Sequence, residues 1–263
     1  MKGEPIDEVL IGQKVAAHGL DWLYRAETGS TNADVLDHYG EHRREVVAFS
    51  ESQNAGRGRR GRQWHSPVAR NIYCTVGLQK ALPAKQQGLL SIVTGLALCR
   101  VLRRNAGAAV GLKWPNDLLA GGRKLGGILI ESRPQDGESF FFAIGFGLNL
   151  FMREDELTAI GQTATSLDRV VAGPLDRGEI LGVLIDAVIA EIRAFDPLQA
   201  QALIEEYAEF DVFHGREVEV ISGQQRIRGI NRGIAAGGQL QLETEQGLQL
   251  HSAAEISLRA AAE

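Results

Sequence analysis

Four arginines alternate with glycines in one short stretch, "NAGRGRRGRQWHSP", which covers residues 54–67. The glycines at positions 56, 58 and 61 have no Cβ atom, so the backbone can fold tightly around a ligand. Guanidinium groups grip phosphate and carboxylate oxygens with paired hydrogen bonds. The stretch predicts either a mobile clamp over a small anion or a basic patch for nucleic acid. Arginines spread among glycines favour the clamp, since they form neither a helical nor an aromatic nucleic-acid surface.

A second stretch, "GLKWPNDLLAGGRKLGGILIES", combines a turn with a lysine and paired glycines. Pro115 fixes a turn at the end of a strand and directs Asn116 and Asp117 outward, where they could orient a ribose or hold hydrated Mg²⁺. "AGG" predicts a hairpin reversal, after which Lys124 opens a strand whose glycines let a ligand lie against bare backbone. Taken alone, the stretch fits a plain turn with an exposed lysine equally well.

A third stretch, "GFGLNL", places Gly145 and Gly147 two residues apart, followed by Asn149. Side chains at i and i+2 of a strand lie on the same face, so these glycines clear a slot for a flat, uncharged group. Conformational freedom of the strand explains the glycines equally well.

The elements that position these residues follow from periodicity and from helix and strand boundaries. "TGSTNADVLDHYG" predicts a helix capped by Thr31 and stopped by Gly40, with Ser30 and Asn32 at its amino terminus. "EVVAFS" and "NIYCTVGL" predict strands on either side of the arginine stretch, and residues 87–105 predict a core helix. Further apolar runs and amphipathic segments predict more strands and two later helices.

The predicted fold is α+β, with two domains. A mixed β-sheet flanked by helices occupies residues 1–213. Short alternating segments separated by glycine-rich turns predict a small C-terminal antiparallel β-barrel at residues 214–263.

Composition limits the partners. The formal net charge of -5 means that bulk attraction to nucleic acid or anionic membrane is not expected. No run approaches the roughly 20 apolar residues that span a bilayer, and the start of the sequence does not resemble a signal peptide. The two cysteines lie in apolar runs and are expected to be buried free thiols. We expect a soluble, cytoplasmic protein.

The segments "GSTN", "NAGRGRRGRQWHSP", "KWPNDLL", "RKLGGILIE" and "AIGFGLNL", in this order, resemble the signature segments of biotin protein ligases. "ATSL" and a terminal "EISLR" extend the resemblance, which runs from about residue 27 to 259. It implies a class II synthetase-like catalytic domain that activates biotin with ATP to biotinoyl-5'-AMP. Biotin then passes to one lysine of the biotin carboxyl carrier domain of acetyl-CoA carboxylase.

The resemblance also implies roles for individual residues. Lys124 and Arg59 are implied as catalytic, Lys124 by contact with the biotin carboxyl and the phosphate, and Asp117 as a Mg²⁺ ligand. Trp64 is implied to lie against adenine. The residues implied to bind biotin are Ser30, Thr31, Asn32, Gln53, Arg57, Gly58, Arg59, Lys124, Gly145 and Gly147. The residues implied to bind the nucleotide are Arg57, Arg59, Arg62, Trp64, Lys113, Asn116, Asp117, Asn149 and Arg259.

Two alternatives stay open: a lipoate or octanoyl ligase of the same superfamily, and a nucleic-acid-binding regulator. The complete "GRGRRGRQW" and "KWPND" segments favour biotin. Only about 26 residues precede the resemblance, too few for the helix-turn-helix domain with which some members repress transcription. We therefore expect a monofunctional ligase without a DNA or membrane partner. The strand "KLGGILIESR" could support a homodimer.

Overall fold

The computed structural model describes residues 5–222, 225–253 and 256–260. Its larger sheet has seven strands in the order β1-β2-β3-β7-β6-β5-β4. The strands are β1 (Asp21–Arg25), β2 (Val46–Ser50), β3 (Ile72–Ala81), β4 (Val110–Lys113), β5 (Asp117–Ala120), β6 (Arg123–Pro134) and β7 (Ser139–Leu148). β1 and β2 are parallel and the other neighbours antiparallel, which confirms the predicted mixed sheet.

Six α-helices within the described ranges accompany this sheet. They are α1 (Glu8–Ala17), α2 (Thr31–His42), α3 (Leu89–Ala106), α4 (Glu154–Ala159), α5 (Arg177–Ala194) and α6 (Ala200–Phe210). α3 is the predicted core helix, and Gly107, at φ 62°, ends it; Asp176 accepts the Glu179 N–H at 2.8 Å to cap α5. None of the helices in the described ranges has the length and apolar character that a bilayer crossing requires.

The predicted boundaries of α2 were wrong at both ends. Ser30, not Thr31, is the N-cap, and its side chain makes no capping hydrogen bond. Gln53 Oε1 instead accepts the Thr31 N–H at 2.9 Å, so a residue far along the chain supplies the cap. The helix continues through Gly40, and Arg43 ends it in the left-handed conformation at φ 55°. Gly40 lies inside the helix and in close contact with β6. A Cβ atom at this position would lie 2.8 Å from Arg133 Nη1.

The two faces of the larger sheet are covered unequally. α1, α3, α5 and α6 pack on one face and form the main hydrophobic core with it. α2 packs on the other face, where Val35 and Tyr39 join Phe141 and Ala143 in a smaller cluster. Gly145 lies on the same face of β7, under the first turn of α2, where a Cβ atom would collide with Asn32 Oδ1. The part of this face that α2 leaves uncovered is open for a site.

The C-terminal sheet has five antiparallel strands in the order β11-β10-β9-β8-β12, as predicted for a small antiparallel unit. They are β8 (Glu217–Ser222), β9 (Gln225–Ile234), β10 (Leu240–Thr244), β11 (Gly247–His251) and β12 (Ile256–Ala260). Trp114 Nε1 donates to the Gly238 carbonyl at 2.9 Å, and Asn231 Nδ2 donates to Asp211 Oδ2 at 2.7 Å. These contacts fix the C-terminal sheet against the turn that follows β4 and against the end of α6.

Both cysteines are buried free thiols, as predicted. Burial raises the pKa of Cys99 to about 12 and raises the pKa of Cys74 further. Both side chains are therefore uncharged packing groups.

Candidate active site

A cavity of about 920 Å³ opens on the uncovered part of the larger sheet. Every predicted site residue except Arg259 lines it, although these residues come from segments more than 100 positions apart. Arg259 lies in β12 with its backbone opposite Glu219, but its side chain lies outside the described residues. The folded chain therefore brings the predicted set together at one place.

Lys124 and Asp117 form an ion pair in this cavity. Lys124 Nζ lies 2.7 Å from Asp117 Oδ1, and Lys113 Nζ lies 3.8 Å from Asp117 Oδ2. The hairpin between β5 and β6 produces this pairing, since it turns at Gly121 and Gly122, whose φ angles are 55° and 73°. A single carboxylate is thus shared by two ammonium groups.

The backbone of Lys124 is held by the segment that follows α4. Lys124 N–H donates to the Thr163 carbonyl at 3.0 Å, and Lys124 C=O accepts the Thr165 N–H at 2.9 Å. Asn149 is 2% exposed, and its Nδ2 donates to the Thr165 carbonyl at 3.1 Å. Asn149, a predicted nucleotide ligand, therefore holds the segment that fixes the strand position of Lys124.

Residues 54–67, which we call the lid, join β2 to β3 and fold into a short hairpin. Gly58 N–H donates to the Arg62 carbonyl at 2.7 Å, and Trp64 N–H donates to the Gly56 carbonyl at 2.9 Å. Gly61 allows the reversal at the tip, where its φ is 70°. The lid has backbone structure of its own and lies over the open part of the sheet.

Two lid arginines bind groups of the surrounding fold. Arg57 Nη2 lies 3.2 Å from Glu131 Oε2. Arg59 Nη1 donates to Asn116 Oδ1 at 3.2 Å, and its Nη2 donates to the Ala253 carbonyl, so it joins the lid to the C-terminal part of the chain. Burial lowers the pKa of Arg59, and the charge of Asp117 opposes that shift. Arg59 also lines a neighbouring cavity of about 1090 Å³.

Trp64 covers the glycines of β6 and β7. Gly127 and Gly147 face each other across the two strands. A Cβ atom on Gly147 would lie 2.5 Å from the Trp64 ring, and one on Gly127 would lie 3.2 Å from it. Lys124 Nζ lies 5.5 Å from the ring centroid, on the ring's π face. Trp64 therefore covers Gly147, and Asn32 lies over Gly145, so side chains of this chain occupy the space that the glycine spacing predicts for a ligand.

A compact polar network lies at the amino terminus of α2. Thr75, fully buried on β3, donates to Asn32 Oδ1 at 2.7 Å and lies 2.8 Å from the Thr31 hydroxyl. Asn32 Nδ2 donates to Glu131 Oε2 at 2.8 Å. Neither Thr75 nor Glu131 was expected at the site from the sequence. Strand alternation could have identified Glu131, since it shares a face with Gly127.

The charge of the cavity is strongly unbalanced. Asp117 is the single carboxylate among the described lining residues. The cationic lining residues are Arg57, Arg59, Arg60, Arg62, Lys113 and Lys124. No cluster of three or more histidine, cysteine, aspartate or glutamate side chains in the described ranges is placed to hold a metal ion. The cavity is therefore suited to a polyanion.

Comparison with known proteins agrees with this geometry. Residues 23–149 match the Biotin/lipoate A/B protein ligase family, and residues 213–259 match the Biotin protein ligase C terminal domain. The Bifunctional ligase/repressor BirA of Escherichia coli is 37% identical over 234 residues, which cover 88% of this chain and 72% of that protein. The Biotin--[acetyl-CoA-carboxylase] ligase of Mycobacterium tuberculosis is 36% identical over 251 residues, 91% of this chain and 90% of that protein.

Solved structures show the same fold. The structure described as "Biotin protein ligase from Aquifex aeolicus in complex with biotin and ATP" has a TM-score of 0.74 and 24% identity. The match covers 91% of this chain and 99% of that one. The identity of the relatives and the length of the matches lead to one conclusion: this chain belongs to the biotin/lipoate A/B protein ligase family and carries the C-terminal domain of its biotin protein ligases.

Proposed function

We propose that this chain is an ATP-dependent biotin protein ligase, a biotin--[acetyl-CoA-carboxylase] ligase. It activates biotin to biotinoyl-5'-AMP and transfers biotin to a specific lysine of the biotin carboxyl carrier protein of acetyl-CoA carboxylase. The observation that carries the proposal is the division of the cavity lining: six cations and the Asp117 carboxylate line it, whereas at the amino terminus of α2 a polar network presents the uncharged Thr31 and Asn32 side chains, with Arg57 paired to Glu131 beside it. The cationic end suits ATP, and the α2 end suits the neutral ring system of biotin.

The first half of the reaction joins two anions. A biotin carboxylate oxygen attacks the α-phosphorus of ATP, the new P–O bond forms, and pyrophosphate leaves. Positioned cations offset the repulsion and the developing charge. Lys124 lines the cavity, and its ammonium would contact both the carboxylate and the α-phosphate. Arg59 and Lys113 add positive charge around the phosphates.

The uncharged network would hold the ureido ring of biotin. Thr31, Asn32 and Gln53 offer hydroxyl and amide groups, and these groups are already oriented by hydrogen bonds to one another and to Thr75. Orientation before binding reduces the entropic cost of ordering the site. Ser30, Arg57, Gly58, Gly145 and Gly147 would complete this half of the pocket.

The nucleotide would be held mainly by Arg57, Arg59, Arg62, Lys113 and Asn116. Asp117 would be the protein ligand of Mg²⁺. Magnesium commonly uses one or two carboxylates together with substrate phosphates and water, so a single lining carboxylate fits this ion. The bound ion would neutralise phosphate charge. Binding of ATP and Mg²⁺ requires Asp117 to share or release its contact with Lys124.

The second half of the reaction requires a protein substrate. The carrier lysine amine attacks the biotinoyl carbonyl carbon, an amide bond forms, AMP leaves, and the amine loses a proton. The mixed anhydride must be kept from water until then, which the lid can achieve by covering the sheet. We assign the neighbouring cavity to the approach of the carrier, because Arg59 and Asn116 line both cavities.

The edge of β6 is our proposed homodimer contact. In the described pairing, β5 reaches only Gly127 of β6, whereas β7 pairs with β6 as far as Pro134. Residues 129–134 therefore offer one unpaired backbone edge to a second copy. Light scattering with and without biotin and ATP measures the oligomeric state, and a monomer under both conditions rejects this contact.

Mass spectrometry tests the proposed function directly. The protein is incubated with ATP, Mg²⁺ and either biotin, lipoate or octanoate. We expect biotinoyl-AMP, followed by biotinylation of the carrier domain and not of a variant whose acceptor lysine is arginine. Lipoyl- or octanoyl-AMP alone would support the alternative ligase. Salt-sensitive DNA binding without any adenylate would support the nucleic-acid alternative.

A further inference from the structure

Arg177, far from the cavity in sequence, contacts both ends of the chain segment that carries the lid. It is the first residue of α5 and is 3% exposed. Its Nη1 donates to Glu51 Oε2 and, at 3.4 Å, to the Asn71 carbonyl. Glu51 precedes the lid and Asn71 follows it, so one guanidinium connects both of its ends.

Further buried contacts surround this guanidinium. Ala69 N–H donates to the Glu51 carbonyl at 3.1 Å, which brings the two ends of the lid segment together through the backbone. Arg70 Nε lies 3.7 Å from Glu156 Oε1, and both side chains are 9% exposed. Tyr24 contributes its hydroxyl, 3.5 Å from Glu51 Oε1. Glu51 and residues 69–71, which we call the base of the lid, are therefore fixed by buried charges, in contrast to the lid itself.

A short path connects this base to the proposed biotin pocket. Glu51 and Gln53 lie two residues apart in the segment that joins β2 to the lid. Thr28 N–H donates to the Ser52 carbonyl at 3.1 Å, and Asn54 N–H donates to the Thr28 carbonyl at 3.0 Å, which fixes the register of this segment. A rotation at Glu51 would therefore move Gln53, whose Oε1 caps α2.

The ion pair between Arg177 and Glu51 makes the base of the lid sensitive to the loss of either residue. A buried charge without its partner is strongly unfavourable, so removal of Arg177 would drive the Glu51 carboxylate towards water. α5 itself does not depend on this pair. Asp176 caps the helix, and Leu181 and Leu184 anchor it in the core with no exposure.

We infer that Arg177 is a positioning residue for the lid, which acts through Glu51 and the Asn71 carbonyl to fix both ends. This inference rests on the proposed function. Without the pair, the lid closes less completely over biotinoyl-AMP, and the intermediate escapes faster. The chemical step, which depends on Lys124, is altered less than the lifetime of the bound intermediate.

The test compares Arg177→Met, Glu51→Gln and the double variant with the wild type. Release of biotinoyl-AMP is measured by chase after one turnover, and hydrogen exchange is measured across residues 54–67. We expect each single variant to release the intermediate faster by on the order of 10-fold. The double variant should release it no faster than either single variant, because both remove the same contact. Arg177→Lys should rescue in part, since an ammonium can pair with Glu51 but the shorter lysine side chain does not extend to the Asn71 carbonyl.

A matched control separates positioning from general destabilisation. Arg100 pairs with Glu191 and Glu206, between helices outside the cavity. Arg100→Met should lower the melting temperature without changing the release of biotinoyl-AMP or lid exchange. Equal release rates in Arg177→Met and Arg100→Met would overturn the inference. If the wild type forms no biotinoyl-AMP, the proposed function fails. The positioning role is still decided by hydrogen exchange of the lid, which should be faster in Arg177→Met and unchanged in Arg100→Met.

Discussion

Replacement of Lys124 by alanine tests whether the ion pair at the centre of the cavity is chemical or structural. Loss of one charge-assisted contact to a transition state typically costs about 3 kcal/mol. This corresponds to about 10²-fold in the rate of adenylate formation. We therefore expect Lys124→Ala to form biotinoyl-AMP about 10²-fold more slowly than the wild type.

The structure predicts a much smaller effect on stability. Lys124 Nζ is 2.7 Å from the Asp117 carboxylate, and Lys113 Nζ, at 3.8 Å, stays when Lys124 is removed. Coulomb attraction scales inversely with distance, so the attraction between Lys113 and Asp117 is about 0.7 of that between Lys124 and Asp117. This attraction remains when Lys124 is removed. We expect the free energy of unfolding to fall by no more than about 1 kcal/mol.

The assay measures biotinoyl-AMP in a single turnover by mass spectrometry, with the melting temperature measured in parallel. Lys80→Ala is the matched control, because Lys80 contacts the Arg193 carbonyl on the surface outside the cavity. The double variant Lys124→Ala with Asp117→Asn should form biotinoyl-AMP no faster than Lys124→Ala, because it restores no positive charge to the reacting groups. Turnover like that of the wild type in Lys124→Ala would remove Lys124 from the mechanism.

Three further predictions concern the nucleotide, the lid and pH. Asp117→Asn should weaken ATP binding and alter its Mg²⁺ dependence, while biotin binding is retained. Calorimetry measures the binding of ATP and of biotin. An unchanged Mg²⁺ dependence would leave Asp117 only a role in the turn. Arg59→Gly should still form biotinoyl-AMP but release it, so that unrelated proteins become biotinylated on a blot; a variant without stray labelling would contradict the lid mechanism. Burial lowers the pKa of His251 below its ordinary 6.5, so the unfolded chain binds a proton more readily, and stability should fall as pH decreases below 6.5. His251→Gln should reduce that slope in denaturant titrations at several pH values, and an identical slope would show that another group is responsible.

The sequence was sufficient for the features that depend on local spacing. Glycine positions predicted the β5–β6 hairpin, strand alternation placed Gly145 and Gly147 on one face of β7, and periodicity predicted the core helix α3. These features are set by residues within a few positions of one another. The resemblance to a family supplied the roles of individual residues, which spacing alone left open.

Contacts between distant segments could not be predicted in the same way. Thr31 lost its expected capping role because Gln53 reaches its N–H from another part of the fold. Thr75 joined the polar network because β3 lies beneath α2, which no local pattern of a buried threonine indicates. Arg177 reads as an ordinary residue at a helix start, and only the fold places it between the two ends of the lid.

The indole of Trp64 on bare glycine backbone affects the thermodynamics of recognition. The indole already covers the glycine backbone, so this apolar surface is dry before a ligand binds. A ligand that binds there replaces the Trp64 contact with its own and releases little water. The heat-capacity change on binding should therefore be smaller than the area of the pocket suggests, since that change reports newly dehydrated apolar surface. Flat apolar compounds gain little, because they must first displace the ring. Only a ligand that also engages the charged end of the cavity gains enough free energy to do so.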